Sequence, residues 1–281
     1  MKHCSIIIVN YNGKEYLKDC LKSIKENTSY KNYSVIIVDN HSTDGSTKLV
    51  KKDLIINKKN EGFAKGNNIG IKYSIEKYDS DYFYMLNNDT KVKPNWLSEA
   101  IKTMEKDYSI GIVGSKQLTF EDKPTISAGW IHMFGVKYYY GNEDKEVNWV
   151  SGAGMLIKRE VIDVIGLFDE IYSPAYYEET DFEKRTMVAG FKIFHSPKSI
   201  FLHKGGATTS KLKTNFNEIH YRNRIIYFSK YHSLIYFFPR LIIDLLRGMK
   251  NKQLKTILSG YKKGFAKKKE MLLLNNVKKG L

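Results

Sequence analysis

Three short apolar runs, residues 5–9, 34–38 and 82–86, each break off into polar side chains, and no other feature of the 281-residue chain restricts its fold as tightly. The first ends in Asn10-Tyr11-Asn12-Gly13, the second in Asp39-Asn40-His41-Ser42-Thr43-Asp44-Gly45-Ser46, and the third in Asn87-Asn88-Asp89. Runs of this length, bounded by turn-formers, predict buried strands. Residues 15–26 carry Tyr16, Leu17, Cys20, Leu21 and Ile24 at helical spacing, and Leu54-Ile55-Ile56 predicts a further strand. Strands alternating with helices predict βαβ units, an α/β class and a mainly parallel sheet. In such sheets ligands bind beyond the carboxyl ends of the strands, so the three polar clusters are expected to converge on one crevice.

The second half is less regular. Residues 110–114 predict a strand, whereas 115–148 have mixed aromatics without a clear period and are expected to form an irregular insertion. A helix is expected to close at Gly166, and another to open at Tyr176-Tyr177-Glu178-Glu179-Thr180-Asp181 and stop at Gly190. Acidic residues suit a first helical turn through the helix dipole. Three carboxylates in four residues exceed that need, and like charges so close raise at least one pKa, as a general base requires.

The order of motifs resembles inverting glycosyltransferase family 2, of GT-A fold, and in particular its rhamnosyltransferase-like members. The resemblance is carried by Ile6-Ile7-Ile8-Val9-Asn10-Tyr11-Asn12, the 38–46 segment, Asn60-Glu61-Gly62-Phe63-Ala64, Leu86-Asn87-Asn88-Asp89, residues 152–160, 166–170 and 178–181, and His203, in family order across residues 5 to about 225. It implies a nucleotide-binding half over 1–114 and an acceptor and catalytic half over 115–225. It also implies donor contacts from Asn10, Tyr11, Asn12, Asp39 and Asn40, and from a 60–70 loop carrying Asn60, Gly62, Lys65 and Asn68 that closes over the nucleotide. Asn87-Asn88-Asp89 matches the family's Asp-X-Asp metal motif, with Asp89 as the retained carboxylate and Asn87 and Asn88 beside the donor. Glu179 falls at the catalytic base, in a Glu178-Glu179 pair where the family usually has Glu-Asp. Glu178 and Asp181 are expected to bind acceptor hydroxyls or support that base. His203, 24 residues beyond, is expected to complete a Mg²⁺ or Mn²⁺ site with Asp89. Trp149, Gly152 and Tyr177 are expected on the acceptor side. Arg222 and Arg224 resemble an Arg-Asn element near the site that could neutralise phosphate; a solvated helix face or a contact with the tail is the competing reading.

Such transfer needs a clamp on the leaving diphosphate, a base for the acceptor hydroxyl and a pocket that aligns them. The implied donor is a dTDP-rhamnose or UDP-hexose, and the implied acceptor a glycan or lipid-linked glycan of a cell-surface polysaccharide. A non-catalytic sugar-nucleotide-binding relative remains the alternative, because Asn87 and Glu179 stand where Asp is usual.

The net charge of +16 lies almost wholly in residues 211–281, where 17 Lys or Arg face only Glu218, Asp244 and Glu270. A nucleic-acid-binding protein would carry its basic excess within the motif-bearing body, so that class is disfavoured. A dinucleotide oxidoreductase is weaker still, because the first strand is followed by Asn-Tyr-Asn-Gly and not by Gly-X-Gly-X-X-Gly. Residues 226–281 predict a basic amphipathic helical tail: Leu254, Ile257, Leu258, Tyr261 and Phe265 recur at helical spacing among lysines that continue to Lys269. That pattern suggests an anionic membrane surface, with a solvated face or a homodimer contact as alternatives. The longest uncharged run in 225–246, residues 233–239, is far short of the ~20 a span needs. Cys4 and Cys20 lack metal or disulfide spacing, and the N-terminus lacks a signal-peptide core, so a reduced, cytoplasmic protein is expected, peripheral on the inner face of the membrane.

Overall fold

The computed structural model describes residues 1–132, 135–206, 215–231 and 238–279, with side-chain surroundings through residue 268. Residues 233–237 of the uncharged tail run, and the Lys269 side chain, lie outside that description. The chain begins β1 (Cys4–Asn10), α1 (Lys14–Asn27), β2 (Tyr33–Asp39), β3 (Leu54–Ile56), α2 (Gly62–Tyr78), β4 (Tyr82–Leu86), β5 (Thr90–Val92) and α3 (Trp96–Met104). It continues β6 (Ile110–Leu118), β7 (Ala128–His132), β8 (Gly135–Tyr138), β9 (Lys145–Val147), β10 (Trp149–Val150), β11 (Gly154–Lys158), α4 (Arg159–Ile165), α5 (Glu178–Val188) and β12 (Lys192–His203). Three helices follow: α6 (Phe216–Tyr231), α7 (Phe238–Lys250) and α8 (Leu254–Lys279).

The central sheet runs β3-β2-β1-β4-β11-β6-β12-β5, with β9 also on β12. Its first four strands are parallel, and β11 enters antiparallel between β4 and β6. Alternate side chains explain why the early strands read as unbroken apolar runs. Ile6 and Ile8 of β1 pack with Leu17 and Ile24 of α1 and Trp96 of α3, while Ile7 packs on the other face with Ala64 and Ile71 of α2. A strand covered by helices on both faces has no polar side to alternate with. The β1–β2 register sets Asn10 beside Asp39, and β4 ends next to them at Leu86, so the three polar clusters share one sheet edge.

Two expectations change here. The 60–70 segment is the start of α2 rather than a loop. Gly66 and Gly70 face β1, where an added Cβ would lie 2.8 Å from Val9 Cγ1 and 2.4 Å from Ile7 Cγ2. Those glycines lower helix propensity, yet they let the helix press onto the sheet. Residues 115–148 are likewise irregular only in part, since β6 runs on to Leu118, β9 joins β12, and β7 and β8 form a second, three-stranded sheet with β10. Strands of two to five residues are too short for a two-residue period to show in sequence.

The basic tail is packed on the body. Along α8, Ile257 and Tyr261 are buried against α6 beside Ile225. Gly260 and Gly264 allow the approach, because a Cβ on them would stand 2.6 Å from the Glu218 carbonyl and 2.7 Å from the Arg222 carbonyl. The apolar stripe that the sequence assigns to a membrane is therefore in part a helix–helix seam, and α6 runs unbroken through residue 225. No helix among the described residues is long and apolar enough to cross a membrane.

Candidate active site

A cavity of about 300 Å³ opens beyond the carboxyl ends of β1 and β4, lined by Tyr11, Asn40, Asn60, Gly62, Asn87, Asn88 and Asp89 on one side and Gly152, Glu178, Glu179 and His203 on the other. Its floor is a buried amide network. Asn10 Nδ2 donates to Asp39 Oδ1 at 2.8 Å and to Ser46 Oγ at 2.9 Å, while Asn10 Oδ1 accepts from Asn88 Nδ2 at 2.8 Å. The second Asp39 oxygen accepts from the Ser42 backbone at 2.8 Å. With Asn10 fully buried, one side chain ties the β2 loop to the end of β4. Buried amides so fully bonded hold a single geometry. Asn40 donates to the Gly62 carbonyl at 3.1 Å, and the Asn60 side chain accepts from the Gly62 N–H at 3.0 Å, fixing where α2 begins.

At the outer lip His203 Nε2 lies 3.0 Å from Asp89 Oδ1 and 3.3 Å from Asn87 Nδ2. Both Asp89 and His203 are largely shielded from solvent yet border the cavity. A carboxylate oxygen and an imidazole nitrogen at this separation suit a divalent cation that takes its remaining ligands from phosphate and water. No group of three or more His, Cys, Asp or Glu side chains suited to a metal occurs among the described residues.

The opposite wall is the first turn of α5. Tyr176 and Tyr177 enter it with φ of 76° and 77°, a conformation that bulky residues adopt only when their surroundings impose it. The imposing residue is Asn223 of α6, whose Nδ2 donates to the carbonyls of Tyr172 at 2.7 Å, Ala175 at 2.9 Å and Tyr176 at 2.8 Å. Arg222 donates to the Ser173 carbonyl, and Arg224 Nε donates to Tyr177 Oη at 3.0 Å. Arg224 is also ion-paired with Asp244 of α7, so the Arg-Asn-Arg element clamps the loop that presents the carboxylates and touches the tail as well.

Burial pushes the Glu178 carboxyl well above the usual range, with the neighbouring Glu179 adding to it; burial also raises Glu179, offset by backbone N–H donors of the helix start. Glu178 Oε2 is buried without a protein partner. One turn on, Glu183 accepts from the Val150 N–H at 2.7 Å through one oxygen, while the other is buried and unpartnered. Burial holds Glu183 well above the ordinary carboxylate range too.

A second cavity, about 450 Å³, lies on the far side of Glu179, with Trp149, Tyr138, Tyr177, Tyr227, Lys184 and Arg240 among its walls. Glu179 and Tyr176 line both cavities. Gly152 keeps the boundary thin, since a Cβ there would lie 3.3 Å from Glu179 Cβ.

Several sequence-derived candidates lie elsewhere. Asn10 and Asp39 sit behind the cavity wall as support, and Asn12 accepts from the Thr43 N–H at 2.8 Å. Lys65 pairs with Glu61 at 2.9 Å on the outside of α2. Asn68 binds the Phe168 backbone through donor and acceptor at 2.9 and 3.0 Å. Asp181 points away from both cavities, into Tyr172, Arg185, Lys230 and Tyr231, because its turn of α5 faces α6. Sequence reasoning missed Phe63 and Phe216 on the first cavity and the roles of Asn223 and Glu183. Only Asn223 carried a signal, as a lone amide between two arginines.

Comparison with known proteins identifies the family and the fold. The family model described as Glycosyl transferase family 2 matches residues 5–166. The chain is 24% identical over 234 residues to the low-salt glycan biosynthesis hexosyltransferase Agl10 of Haloferax volcanii, covering 79% of this chain and 74% of that one. It is 22% identical over 261 residues to the N-acetylglucosaminyl-diphospho-decaprenol L-rhamnosyltransferase of Mycobacterium tuberculosis, covering 81% and 84%. Among solved structures, the mannosyltransferase PcManGT of Pyrobaculum calidifontis, in complex with GDP-Man and Mn²⁺, superposes with a TM-score of 0.59 at 16% identity, covering 92% of this chain and 74% of that one. The sheet order and the flanking helices are those of the GT-A fold. With more than half of its length matched by the family model, the chain belongs to glycosyl transferase family 2.

Proposed function

We propose that the protein is an inverting, divalent-metal-dependent transferase that moves a hexose or deoxyhexose from a nucleoside-diphosphate donor in the smaller cavity to a hydroxyl of an acceptor in the aromatic one. The observation that carries this reading is that Glu179 borders both cavities. A carboxylate at that boundary reaches an acceptor hydroxyl on one side and faces a sugar carbon on the other. Glu179 accepts the hydroxyl proton as the acceptor oxygen bonds to the anomeric carbon, and the bond to the diphosphate oxygen breaks on the opposite face. One displacement of this kind inverts the centre. Asp89 and His203 would hold Mg²⁺ or Mn²⁺, which when bound neutralises the departing diphosphate. Glu178, with a buried, unpartnered oxygen and a place on the lining of the donor cavity, is suited to a sugar hydroxyl.

The rhamnosyltransferase and hexosyltransferase relatives favour a dTDP-rhamnose or UDP-hexose donor, the decaprenyl-linked acceptor named for one of them favours a glycan or lipid-linked glycan, and the Mn²⁺ of the Pyrobaculum enzyme favours a divalent ion. A thermal-shift panel of nucleotide sugars with and without Mn²⁺, followed by nucleoside-diphosphate release with an acceptor, tests the reading. One donor should raise the melting temperature in a metal-dependent way, because a ligand specific to the native state stabilises by mass action. Donor binding without any release across a panel of acceptors would instead identify a non-catalytic binder.

A further inference from the structure

α7 carries apolar side chains outward as well as inward. Its inward side carries Asp244 and Gly248, both buried, with Leu241 and Leu245 packed on the core shared by α6 and α8, and a Cβ on Gly248 would lie 2.4 Å from Ile257 of α8. Its outward side carries Phe238, Ile242, Leu246 and Met249, exposed by 59, 57, 56 and 55%. These positions fall within about 80° of one another at 100° per residue, a continuous apolar stripe where solvent should favour charge.

The rim of that stripe is cationic. Arg247 and Lys250 flank it on the same helix, and Lys252, Lys255 and Lys262 are exposed just beyond. Across residues 238–268 the sole carboxylate is Asp244, and it is turned inward to Arg224. A second copy seated here by two-fold symmetry would set like charges against one another with no carboxylate to answer them. Apolar side chains ringed by cations match an anionic bilayer, where the stripe enters the acyl boundary and the lysines meet headgroups. The aromatic cavity opens beside the first turn of the same helix, since Arg240 lines it.

We infer that the outward face of α7 is an interfacial docking surface for an anionic lipid bilayer, and that docking brings the aromatic cavity to the headgroup level. The second clause rests on reading that cavity as the acceptor side; the docking itself does not. The surface also differs from the one that sequence periodicity selects, because the Ile257 and Tyr261 side of α8 is spent on α6.

Flotation of the full-length protein with vesicles of phosphatidylcholine alone, and of phosphatidylcholine with phosphatidylglycerol, measures docking directly. Binding should strengthen at least tenfold with phosphatidylglycerol, since each cation at the surface contributes a factor of roughly five. The double variant Ile242→Ser with Leu246→Ser should lose at least tenfold in binding to the anionic vesicles. Its melting temperature and its donor-induced thermal shift should stay unchanged, because both side chains are more than half exposed. Wild-type protein that ignores anionic vesicles, or a double variant that binds them equally well, overturns the inference. So does light scattering that shows a lipid-free dimer which the double variant splits, for the face would then be a self-interface. Failure of the transferase reading would show instead as absent donor shifts and turnover, with vesicle binding intact.

Discussion

Asp89 Oδ1 and His203 Nε2 are 3.0 Å apart although 114 residues separate them. The sheet makes the contact: β12 runs antiparallel to β5 with His203 opposite Thr90, which sets the imidazole beside the carboxylate one residue earlier. Replacing Asp89 with Asn keeps a hydrogen-bonding partner for His203 but removes the charge a cation needs. Asp89→Asn and His203→Ala should each lower turnover on the order of 10²-fold at limiting Mn²⁺, comparable to losing one stabilising group at a developing charge. Activity titrated against Mn²⁺ should recover in part at high metal for His203→Ala and far less for Asp89→Asn. Unchanged metal dependence in both variants would remove this pair from the donor site.

The base proposed at Glu179 would work only when ionised, and burial holds its carboxyl above the ordinary glutamate value near 4.5. The rate should therefore rise with pH along a limb displaced above that value, then level once Glu179 is ionised. Glu179→Gln should reduce kcat by about 10²- to 10⁴-fold while the donor still raises the melting temperature. Glu178→Gln, at a carboxyl that burial raises well above the ordinary value, should be far milder. Equal losses in the two variants would contradict the division of roles.

Asn223 satisfies three carbonyls of the loop that places Glu178 and Glu179. Asn223→Ala takes this donor from the part-buried Ala175 and Tyr176 carbonyls and leaves the Tyr172 carbonyl to Arg222 Nη2 at 3.3 Å, which costs about 1–3 kcal/mol of stability per orphaned group at most. The loop should also relax from its positive-φ tyrosines, so kcat should fall more than donor affinity does. Donor thermal shifts and steady-state kinetics on the same variant separate the two effects.

The parallel half of the sheet was legible because its strands are buried on both faces, and an apolar run that stops at Asn10, Asp39 or Asn87 marks a strand end without ambiguity. Along the chain Asn10 and Asn88 look like ligand contacts; only the fold shows that Asn10 is fully buried and acts through Asn88. Asp181 misled for a similar reason. Its place in an acidic cluster is visible in sequence, but the helical turn that aims it at Lys230, 49 residues on, is not. Likewise only packing decides that Ile257 and Tyr261 of α8 turn inward with Leu241 and Leu245 of α7, while Ile242 and Leu246 of α7 stay exposed.

Glu183 offers a readout independent of turnover. Its folded pKa lies above its ordinary value near 4.5, so the native state keeps a proton that the unfolded chain releases. Stability from this group is fully present below about pH 4.5 and is lost as pH rises toward the folded pKa, with a slope of at most ~1.4 kcal/mol per pH unit. Glu183→Gln keeps an acceptor for the Val150 N–H and abolishes that titration. Denaturant midpoints between pH 5 and 8 should decline less steeply for the variant than for the wild type. Parallel curves would mean that Glu183 stays ionised in the native state.

Gly152 lines the smaller cavity against Glu179, the residue that borders both. A methyl group there would press on Glu179 Cβ at 3.3 Å and Cγ at 3.6 Å and come within 3.8 Å of Phe63. These contacts are tight rather than prohibitive, so Gly152→Ala should fold with a melting temperature close to that of the wild type. What must give is the Glu179 side chain, and a displacement on the order of 1 Å at the reacting centre is enough for a roughly 10²-fold loss in rate. Gly13→Ala is the informative contrast, because its Cβ would fall 2.2 Å from Asn88 Nδ2 and 2.8 Å from Asn10 Oδ1, inside the buried amide network. That variant should lose stability and donor binding together, whereas Gly152→Ala should lose kcat alone. If Gly152→Ala instead weakened the donor shift and left kcat intact, the boundary between donor and acceptor would have to lie elsewhere than at Glu179.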